Sequence, residues 1–543
     1  MLPIQNWLPD ASQSIIPDLV AGLSLWALLV PQSIAYAKLA GAPNLAAGLY
    51  CIIFVLPVYA LFASSRSLVA SPTTAVSATF AGFMASMASP PEAALAALVL
   101  ATAVTYLLFA YFRLGFLTYF ISRPVSAGYM TGLSLIVIIG QMPILFGFDA
   151  GNGNAFEQAV SFVQNLDQTN FAALGFAAAT LILLALLPRI SRLIPTGLVA
   201  LALALAASVA LDAGDSLGLS MVGALPAGAP RPALPMVSLD DFAIIIPAAI
   251  GLVILASGEA SVTAQTMAAR ESRLVDMNQQ FRAFGMGNLV GGFFGAIPGT
   301  GASSATVMNV NAGARTLVST FWASAATLLT VMFLTGIFAY LPHAFLAALV
   351  VTAVADLLFF RQIWKIRQFS HGEFIIASLA IFAVLLFGIL NGLLMSMIIN
   401  VLYVAYASAR IETTTLGQSV DDPNMLLPQD NPGTRPLPDH VLAVGLRRGN
   451  LFYASAPTAF SQVMNLIVQH PDARVIVMSV GRMDRLDYSS REELLQFAAT
   501  LRQLGKTLHI TDVHSTLLRR QLADMAFDPE WVEVTTSCDP QKL

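Results

Sequence analysis

The segment GAIPGTGASSATVMNVNAGART, residues 295–316, is too polar for a helix that faces lipid and too apolar for a loop in water. It belongs to a chain of 543 residues, of which 57% are hydrophobic and 11% are charged. Soluble domains carry about 25% charged residues, so this composition predicts a membrane protein. Small and hydroxyl-bearing residues at membrane depth are tolerated only where they are buried in protein or line a cavity. The segment therefore predicts a site inside the membrane-embedded part of the chain.

Apolar blocks recur from about residue 15 to residue 408, and many reach the roughly 20 residues that cross the hydrocarbon core of a bilayer. No basic region precedes the first block, so we expect it to remain as a transmembrane helix rather than to be cleaved as a signal. The two cysteines, Cys51 and Cys538, and six scattered histidines predict neither a disulfide framework nor a metal cluster. A formal net charge of -4 argues against a nucleic-acid partner.

Loop charge predicts the sidedness of the helices, because short cytoplasmic loops collect Lys and Arg. The loops at 41–44, 87–92, 148–169 and 388–392 contain neither residue, and the loop at 213–240 contains only Arg231. We expect all five outside the cell. The loops expected in the cytoplasm carry Arg66, Arg113, Arg189, Arg192, Arg270, Arg273, Arg282, Arg361, Lys365, Arg367 and Arg410. This pattern predicts a multi-pass protein of the cell inner (plasma) membrane with both termini in the cytoplasm.

The alternation of sides requires about fourteen crossings if two short segments, near 73–86 and 303–313, count as half-spans. The two halves of the chain then become inverted copies, an arrangement typical of secondary transporters with a binding site between interrupted helices. The segments SLVASPTTAVSATFAG (67–82) and IPGTGASSATVMNVNAG (297–313) occupy corresponding positions. Two helix N-termini directed at one point would favour an anion. The alternative is that the small residues merely allow close helix packing.

The composition changes after Arg410. Residues 411–436 are polar and rich in Pro and Asp, which predicts a linker. From 437 to 543 short apolar runs alternate with helical patterns, which predicts a small cytoplasmic α/β domain. We therefore expect a transmembrane domain over 1–410, a linker over 411–436 and a soluble domain over 437–543.

Three motifs in order give the chain a family likeness: VPQSIAYAKLAGAPNLAAGLY (30–50), ASPTTAV (70–76) and NVNAGART (309–316). They resemble motifs of the SulP anion permeases, which include sulfate permeases and prestin, and the C-terminal part resembles the STAS domain of that family. The likeness covers nearly the whole chain. It implies an α-helical integral membrane protein with fourteen segments in two inverted seven-segment repeats, core and gate domains, a cytoplasmic STAS domain and commonly a homodimer.

Two positions differ from the usual family pattern. Many relatives carry an Arg just before the hydroxyl residue at the start of the tenth segment, where this chain has Ala305 before Thr306. In this respect the segment is similar to the sodium-dependent bicarbonate transporters of the family. The STAS-like motif has the sequence Asp487-Tyr488-Ser489-Ser490 instead of Asp-Ser-Ser/Thr-Gly. Ser489 occupies the position that is often phosphorylated in stand-alone STAS proteins, and it is the predicted regulatory residue. The altered residues on either side of it argue against regulation by phosphorylation.

Glu259 is the main candidate for binding a coupling cation, because it lies deep in the eighth span. An ionised carboxylate there costs at least a few kcal/mol unless it is paired or faces water. Thr263 lies on the same helix face, and Thr306 is a plausible third oxygen ligand. Such oxygens suit a hard cation such as Na⁺, and the family likeness implies an acid and two threonines at matching positions. A proton on Glu259, or a structural pair with an unrecognised Lys or Arg, are the alternatives.

The anion is expected opposite this cation, held mainly by backbone N–H groups and hydroxyls. The candidate residues are Thr73, Ser304, Ala305 and Thr306, with Gln32 and Tyr36 either closing the pocket or serving only in helix packing. Two like charges about 4 Å apart cost roughly 4 kcal/mol at an effective dielectric constant of ~20, so anion and cation should bind together. No other cofactor is expected. The glycine run at 285–301 follows no strand and predicts tight helix packing rather than a nucleotide-binding loop.

The sequence thus predicts a secondary transporter of a small inorganic anion, sulfate or bicarbonate, coupled to Na⁺ or H⁺. A dicarboxylate symporter, an uncoupled anion channel and a membrane sensor that signals through the STAS domain are the alternatives. An enzyme is not predicted, because no histidine can be assigned as a base for Ser489. The missing Arg before Thr306 favours a monovalent anion.

Overall fold

The computed structural model describes residues 15–116, 122–148, 154–190, 196–223, 232, 235–271, 275–355, 357–422, 425–446, 451–481, 483–525 and 527–536. They form two compact units, the first ending at Asn400 and the second beginning at Val401. Arg192, Arg273 and Cys538 lie outside the described residues.

The first repeat is helical apart from one short strand. Its elements are α1 (Ile15–Leu39), α2 (Ala46–Tyr50), a π-helical turn (Cys51–Val55), α3 (Leu56–Phe62), β1 (Ala70–Ser71), α4 (Thr74–Met84), α5 (Pro91–Tyr111), α6 (Arg123–Phe146), α7 (Ala155–Gln164), α8 (Phe171–Ile190) and α9 (Thr196–Ala210). The helix α4 has only 11 residues, too few to cross a bilayer. It is the predicted half-span.

The second repeat has the same order of elements. It consists of α10 (Phe242–Glu271), α11 (Met277–Phe293), β2 (Thr300–Gly301), α12 (Ser303–Asn311), α13 (Val318–Phe333), α14 (His343–Ala355), α15 (Phe360–Phe369) and α16 (His371–Ala409). Gly388 interrupts α16 with φ 80°, a left-handed conformation that glycine adopts without steric cost. Counting α2 and α3 as one segment and α16 as two, and leaving out the short α7 and α15, the described residues contain the fourteen predicted segments.

The two repeats interlock. Helix α1 packs against α12 and α13 of the second repeat, and α10 packs against α4 and α5 of the first. A second bundle contains α6, α8, α9 and α14, and α16 joins it where Gly128 faces the carbonyl of Ala377. These two bundles correspond to the predicted core and gate domains.

Two buried carboxylates occupy equivalent places in the repeats. Asp18, in the first turn of α1, accepts hydrogen bonds from the N–H groups of Arg315 (2.7 Å) and Thr316 (3.1 Å) and from the Thr316 hydroxyl (2.5 Å). Asp241, just before α10, accepts hydrogen bonds at 3.0 and 3.1 Å from the N–H groups of residues 88–89. Each carboxylate thus ties the start of one repeat to the loop that follows the half-helix of the other.

Loops that were predicted on one side of the membrane contact each other. The Ser64 hydroxyl donates to the Asp276 carbonyl at 3.1 Å, between two loops of the basic group. The N–H of Ser238 donates to the Ser89 hydroxyl at 3.0 Å, between two loops of the other group. Six helices among the described residues are long and apolar enough to cross a membrane, so the chain is a multi-pass membrane protein.

The second unit is an α/β domain. Its strands are β3 (Thr413–Ser419), β4 (Leu426–Pro428), β5 (Thr434–Arg435), β6 (Val441–Leu446), β7 (Val475–Ser479), β8 (Thr507–Thr511) and β9 (Val532–Val534), and its helices are α17 (Ala456–Gln469), α18 (Tyr488–Gln503) and α19 (Thr516–Ala523). Strands β6 to β9 are parallel, while β3 pairs antiparallel with β6. The segment that was expected to be a linker therefore contributes three strands, and its run of β-branched threonines favours this.

Candidate functional site

Two broken helices begin side by side at the centre of the first unit. Strands β1 and β2 pair antiparallel, with Ala70 opposite Gly301 and Ser71 opposite Thr300. Helices α4 and α12 begin within three residues of this pairing. Neither helix has a side chain hydrogen-bonded to its first turn as a cap. The N–H groups of both first turns therefore remain available to another acceptor.

A cavity of about 530 Å³ lies against these two helix starts. It is bounded by residues of α1, α4, α6, α10, α12 and the end of α14. The lining residues are Gln32, Tyr36, Pro72, Thr73, Thr74, Ala75, Ser126, Met130, Gly258, Glu259, Val262, Ser303, Ser304, Val307, Ala353, Leu357 and Phe359. The cavity is large enough for a small hydrated anion together with a cation.

Glu259 is the acidic residue of the cavity wall. Thr73 is 6% exposed and its hydroxyl lies close to the Glu259 carboxylate, but it makes no hydrogen bond of good geometry to a described group. Among the described residues that line the cavity there is no Lys, Arg or His. The structure describes no ion pair of Glu259, which removes the alternative of a structural partner within the described part of the chain.

Thr263 links the Glu259 helix to the start of α12. Its hydroxyl donates to the Glu259 carbonyl at 3.0 Å and is also hydrogen-bonded to the Ser303 hydroxyl. Ser303 is the first residue of α12 and is exposed to the cavity. The predicted cation ligand Thr263 and the predicted anion-binding helix start are therefore in direct contact.

Ala305 and Thr306 lie one layer behind the cavity wall. Both are fully buried, and neither lines the cavity. The Thr306 hydroxyl donates to the Ala302 carbonyl at 2.7 Å and accepts a hydrogen bond from the Val69 N–H at 3.0 Å. The hydroxyl thereby fastens α12 to the chain that leads into β1. Of the other predicted site residues, the structure places Gln32, Tyr36, Thr73, Glu259 and Ser304 on the cavity.

Several lining residues were not predicted. Ser126 and Met130 come from α6, and Ala353, Leu357 and Phe359 come from α14 and the turn after it. Most are ordinary apolar residues, whose position on the cavity depends on how the second bundle docks. Ser303 could have been predicted, because it lies in the polar segment quoted first.

No group of three or more His, Cys, Asp or Glu side chains that could hold a metal ion occurs among the described residues. A cation in the cavity would be coordinated by the Glu259 carboxylate together with hydroxyl and carbonyl oxygens. Oxygen ligands of this kind suit Na⁺. Inverted repeats with two broken helices meeting at a cavity inside the membrane define the class of the protein as a secondary transporter fold.

Comparison with known proteins gives the family. A sequence model of the sulfate permease family matches residues 15–380, and the chain belongs to this family. It is 31% identical over 494 residues to a probable sulfate transporter of Mycobacterium tuberculosis, covering 90% of this chain and 87% of that protein. It is 30% identical over 414 residues to probable sulfate transporter 3.3 of Arabidopsis thaliana, covering 72% of this chain and 65% of that protein. These relatives are named as transporters, as the sequence predicts.

Solved structures share the fold. The murine solute carrier 26 family member A9 anion transporter in the inward-facing state matches with a TM-score of 0.90 and 21% identity, covering 99% of this chain and 93% of that one. The transmembrane domain of the cyanobacterium bicarbonate transporter BicA matches with a TM-score of 0.62 and 24% identity, covering 72% of this chain and 97% of that one. The predicted family and the predicted fold class are confirmed.

Proposed function

We propose that this protein is a secondary active transporter that moves a small inorganic anion, sulfate or bicarbonate, together with Na⁺ or H⁺. One observation carries the proposal: Glu259 shares a cavity with the starts of α4 and α12, and no described cationic side chain lines that cavity. An anion at the helix starts would meet an uncompensated carboxylate, and like charges about 4 Å apart cost roughly 4 kcal/mol at an effective dielectric constant of ~20. A cation that neutralises Glu259 removes this cost, which couples the two fluxes.

The anion would be held by the N–H groups at the starts of α4 and α12, each acting as roughly half a positive charge. The hydroxyls of Thr73, Ser303 and Ser304 lie at the same place and can donate to it. Thr73 is the best placed of these, because its buried hydroxyl makes no good hydrogen bond to a described group. Gln32 and Tyr36 would close the pocket from α1.

The cation would bind at the Glu259 carboxylate, close to the hydroxyls of Thr263 and Ser303. The Thr306 hydroxyl oxygen keeps one free lone pair after its two hydrogen bonds. It could become a further oxygen ligand of the cation only if α12 moved. Na⁺ fits this oxygen-rich environment, and protonation of Glu259 would neutralise the same charge. The proposal includes both Na⁺ and H⁺, and uptake measured under a Na⁺ gradient or a pH gradient distinguishes between them.

Two considerations bear on which anion is transported. The relatives in Mycobacterium tuberculosis and Arabidopsis are named for sulfate, and the cyanobacterial neighbour is named for bicarbonate. Ala305 stands where many relatives carry an Arg, so the helix starts offer only partial positive charges here. This lower charge favours the monovalent anion, bicarbonate.

Transport would proceed by movement of the bundle that contains α6 and α14 against the bundle that contains Glu259 and both broken helices. The moving wall of the cavity includes Ser126 and Met130 near the start of α6 and Phe359 just before α15. Helix α6 follows the loop that carries Arg113, and Phe359 lies two residues before Arg361, so these residues are on the side predicted to be cytoplasmic. This proximity to the basic loops supports an inward-facing state, and we propose a protein of the inner (plasma) membrane with cytoplasmic termini.

Uptake into proteoliposomes tests the proposal. Purified protein is assayed with labelled sulfate, bicarbonate and succinate, with and without Na⁺ and pH gradients. We expect uptake of sulfate or bicarbonate to follow one gradient and to lose that dependence in Glu259→Gln. Glu373→Gln, a carboxylate at the start of α16 outside the cavity, is the matched control. Uptake that ignores both gradients and is unchanged by Glu259→Gln would refute the coupled mechanism.

The same assay separates the other functions. Uptake of succinate in preference to the inorganic anions would indicate a dicarboxylate symporter. Passive, gradient-independent flux would indicate a channel, and no flux at all would indicate a sensor. The presence of Glu259 argues against a channel and against a sensor, because neither needs a carboxylate beside the anion site.

We propose further that the C-terminal α/β unit is a STAS domain with a role in homodimer contacts or regulation. Its order of strands and helices supports this, and the strand β3 shows where a deletion must be made. A chain that ends at residue 411 removes the whole sheet, whereas a cut at 430 would leave the β3–β4 pair without β6, the strand on the other side of β3. Full transport and an intact dimer in the shorter chain would exclude both roles.

A further inference from the structure

Helix α15 is a short helix between two membrane segments, with the sequence FRQIWKIRQF. Its ten residues are too few to cross a bilayer. It carries Arg361, Lys365 and Arg367 and no acidic residue. Ile363 anchors one face of it, since this side chain is 6% exposed and packs in a cluster with Ala127 and Ala377.

The exposed surface of α15 is aromatic and basic. Phe360, Trp364 and Phe369 are 53%, 55% and 90% exposed, and the three cationic side chains are exposed beside them. The Arg367 guanidinium carbon lies 4.8 Å from the centroid of the Trp364 ring and 5.6 Å from that of the Phe374 ring. Exposed aromatic rings interleaved with Lys and Arg are typical of helices that lie in the interface of a bilayer.

We propose that α15 binds the headgroups of anionic phospholipids in the leaflet next to the basic loops, and that this binding acts on the transport cavity. The charge of the helix is complementary to a lipid phosphate, and clusters of Lys and Arg directly beside a transmembrane helix attract anionic lipids. The ends of α14 and α16 fix α15 at the membrane surface. The aromatic side chains enter the acyl boundary while the three cations reach the phosphates.

Phe359 connects this surface to the cavity. It is the residue that precedes α15, and its side chain lines the cavity. It also packs against the cluster that contains Ile363, and its N–H donates to the Thr131 hydroxyl of α6 at 3.1 Å. A lipid that holds α15 in place therefore holds one wall of the cavity in place, and the rate of transport depends on the lipid.

Lipid binding is measured on the full-length protein in neutral detergent with fluorescent phosphatidylglycerol. The test variant combines Arg361→Gln, Lys365→Gln and Arg367→Gln. We expect its apparent affinity for the lipid to fall about fivefold for each cation removed. The control variant combines Arg474→Gln, Arg485→Gln and Arg520→Gln, three exposed cations of the C-terminal unit, and should bind like the wild type.

Equal affinity of the wild type and the α15 variant would overturn the lipid site. Displacement of the lipid by inorganic phosphate at a similar concentration would also overturn it, because the site would then be one for a free anion. This binding measurement involves no transport, so it is independent of whether the protein is a symporter.

Transport is then compared in vesicles of phosphatidylcholine alone and of phosphatidylcholine mixed with phosphatidylglycerol. We expect the anionic lipid to change the rate severalfold in the wild type and in the control variant but not in the α15 variant. A similar response of all three proteins would overturn the link between α15 and the cavity.

Discussion

The hydroxyl of Thr263 on α10 is hydrogen-bonded to the hydroxyl of Ser303, the first residue of α12. This bond joins the helix that carries Glu259 to the helix start that would hold the anion. Because the two hydroxyls share one hydrogen bond, a cation that draws on the Thr263 oxygen also reorients the Ser303 hydroxyl. The proposed cation and anion sites are thus connected by a contact as well as by charge.

Thr263→Val keeps the shape of the side chain and removes this hydroxyl. We expect the concentration of Na⁺ or H⁺ that gives half-maximal uptake to rise about tenfold, as for loss of one hydrogen bond to a charged group. The measurement is uptake against cation concentration. Thr266→Val is the control, because the Thr266 hydroxyl is exposed and bonds only to the Val262 carbonyl of its own helix. An equal effect of both variants would contradict the predicted role.

Thr306→Val should reduce stability rather than cation affinity. The buried Val69 N–H would lose its acceptor, which costs about 1–3 kcal/mol. Thermal unfolding of the purified protein measures this as a lower midpoint. Thr327→Val is the control, since this buried hydroxyl bonds only to the Ala323 carbonyl within α13. A variant of normal stability with weakened cation dependence would instead assign Thr306 as a ligand.

The sequence predicted the two broken helices because their polar, small residues are out of place in lipid. It likewise predicted Glu259 as a site residue, since an ionised carboxylate in an apolar span must be paired or face water. It did not predict that the Thr306 hydroxyl accepts a hydrogen bond from the Val69 N–H, because that contact depends on the pairing of β1 with β2, in which Ala70 lies opposite Gly301, 231 residues further along the chain. Phe359 was missed for a similar reason: nothing local marks an apolar residue as part of a cavity.

Close packing of α11 explains the glycine run that could be mistaken for a nucleotide-binding loop. A Cβ on Gly287 would lie 2.8 Å from the Val55 carbonyl oxygen. Gly287→Ala should therefore destabilise the protein by about 1–3 kcal/mol through overpacking. Gly82→Ala in α4 is the control, because no heavy atom lies within 4 Å of the added Cβ. Thermal unfolding compares the two, and an unchanged midpoint for Gly287→Ala would show that the helices can separate at no cost.

Asp241 should make stability depend on pH. Hydrogen bonds from Ser89 and the Ala88 N–H lower the pKa of this carboxyl. Because its pKa is lower in the folded than in the unfolded protein, its contribution to stability is complete above the unfolded value and is lost as pH falls through the folded value. We expect Asp241→Asn to lower the unfolding midpoint at neutral pH, with a difference from wild type that shrinks in acid. The control is Asp240→Asn, a change at the exposed neighbour, which should unfold like the wild type. If the difference in unfolding midpoint between Asp241→Asn and the wild type were the same at all pH values, the proposed role of the Asp241 carboxylate would be contradicted.

Ser489 and Ser490 differ in access, which decides which of the two can be phosphorylated. Ser489 is exposed, whereas Ser490 is buried and its N–H donates to the Asp487 carboxylate at 2.8 Å. Burial raises the pKa of Asp487, but hydrogen bonds from Ser490 and the Tyr453 N–H outweigh it and hold the pKa below its usual value. Asp487 is therefore ionised at neutral pH, and a phosphate on Ser489 would place about two further negative charges beside it.

That repulsion should loosen the contact between Asp487 and the Tyr453 N–H, which measures 2.8 Å. Ser489→Asp imitates the added charge, and Ser489→Asn is its uncharged counterpart. We expect hydrogen exchange of the Tyr453 amide to become several times faster in Ser489→Asp than in Ser489→Asn. The same exchange rate in both variants would mean that charge at Ser489 is not sensed by the neighbouring loop, and phosphorylation there would then have no route into the domain through Asp487.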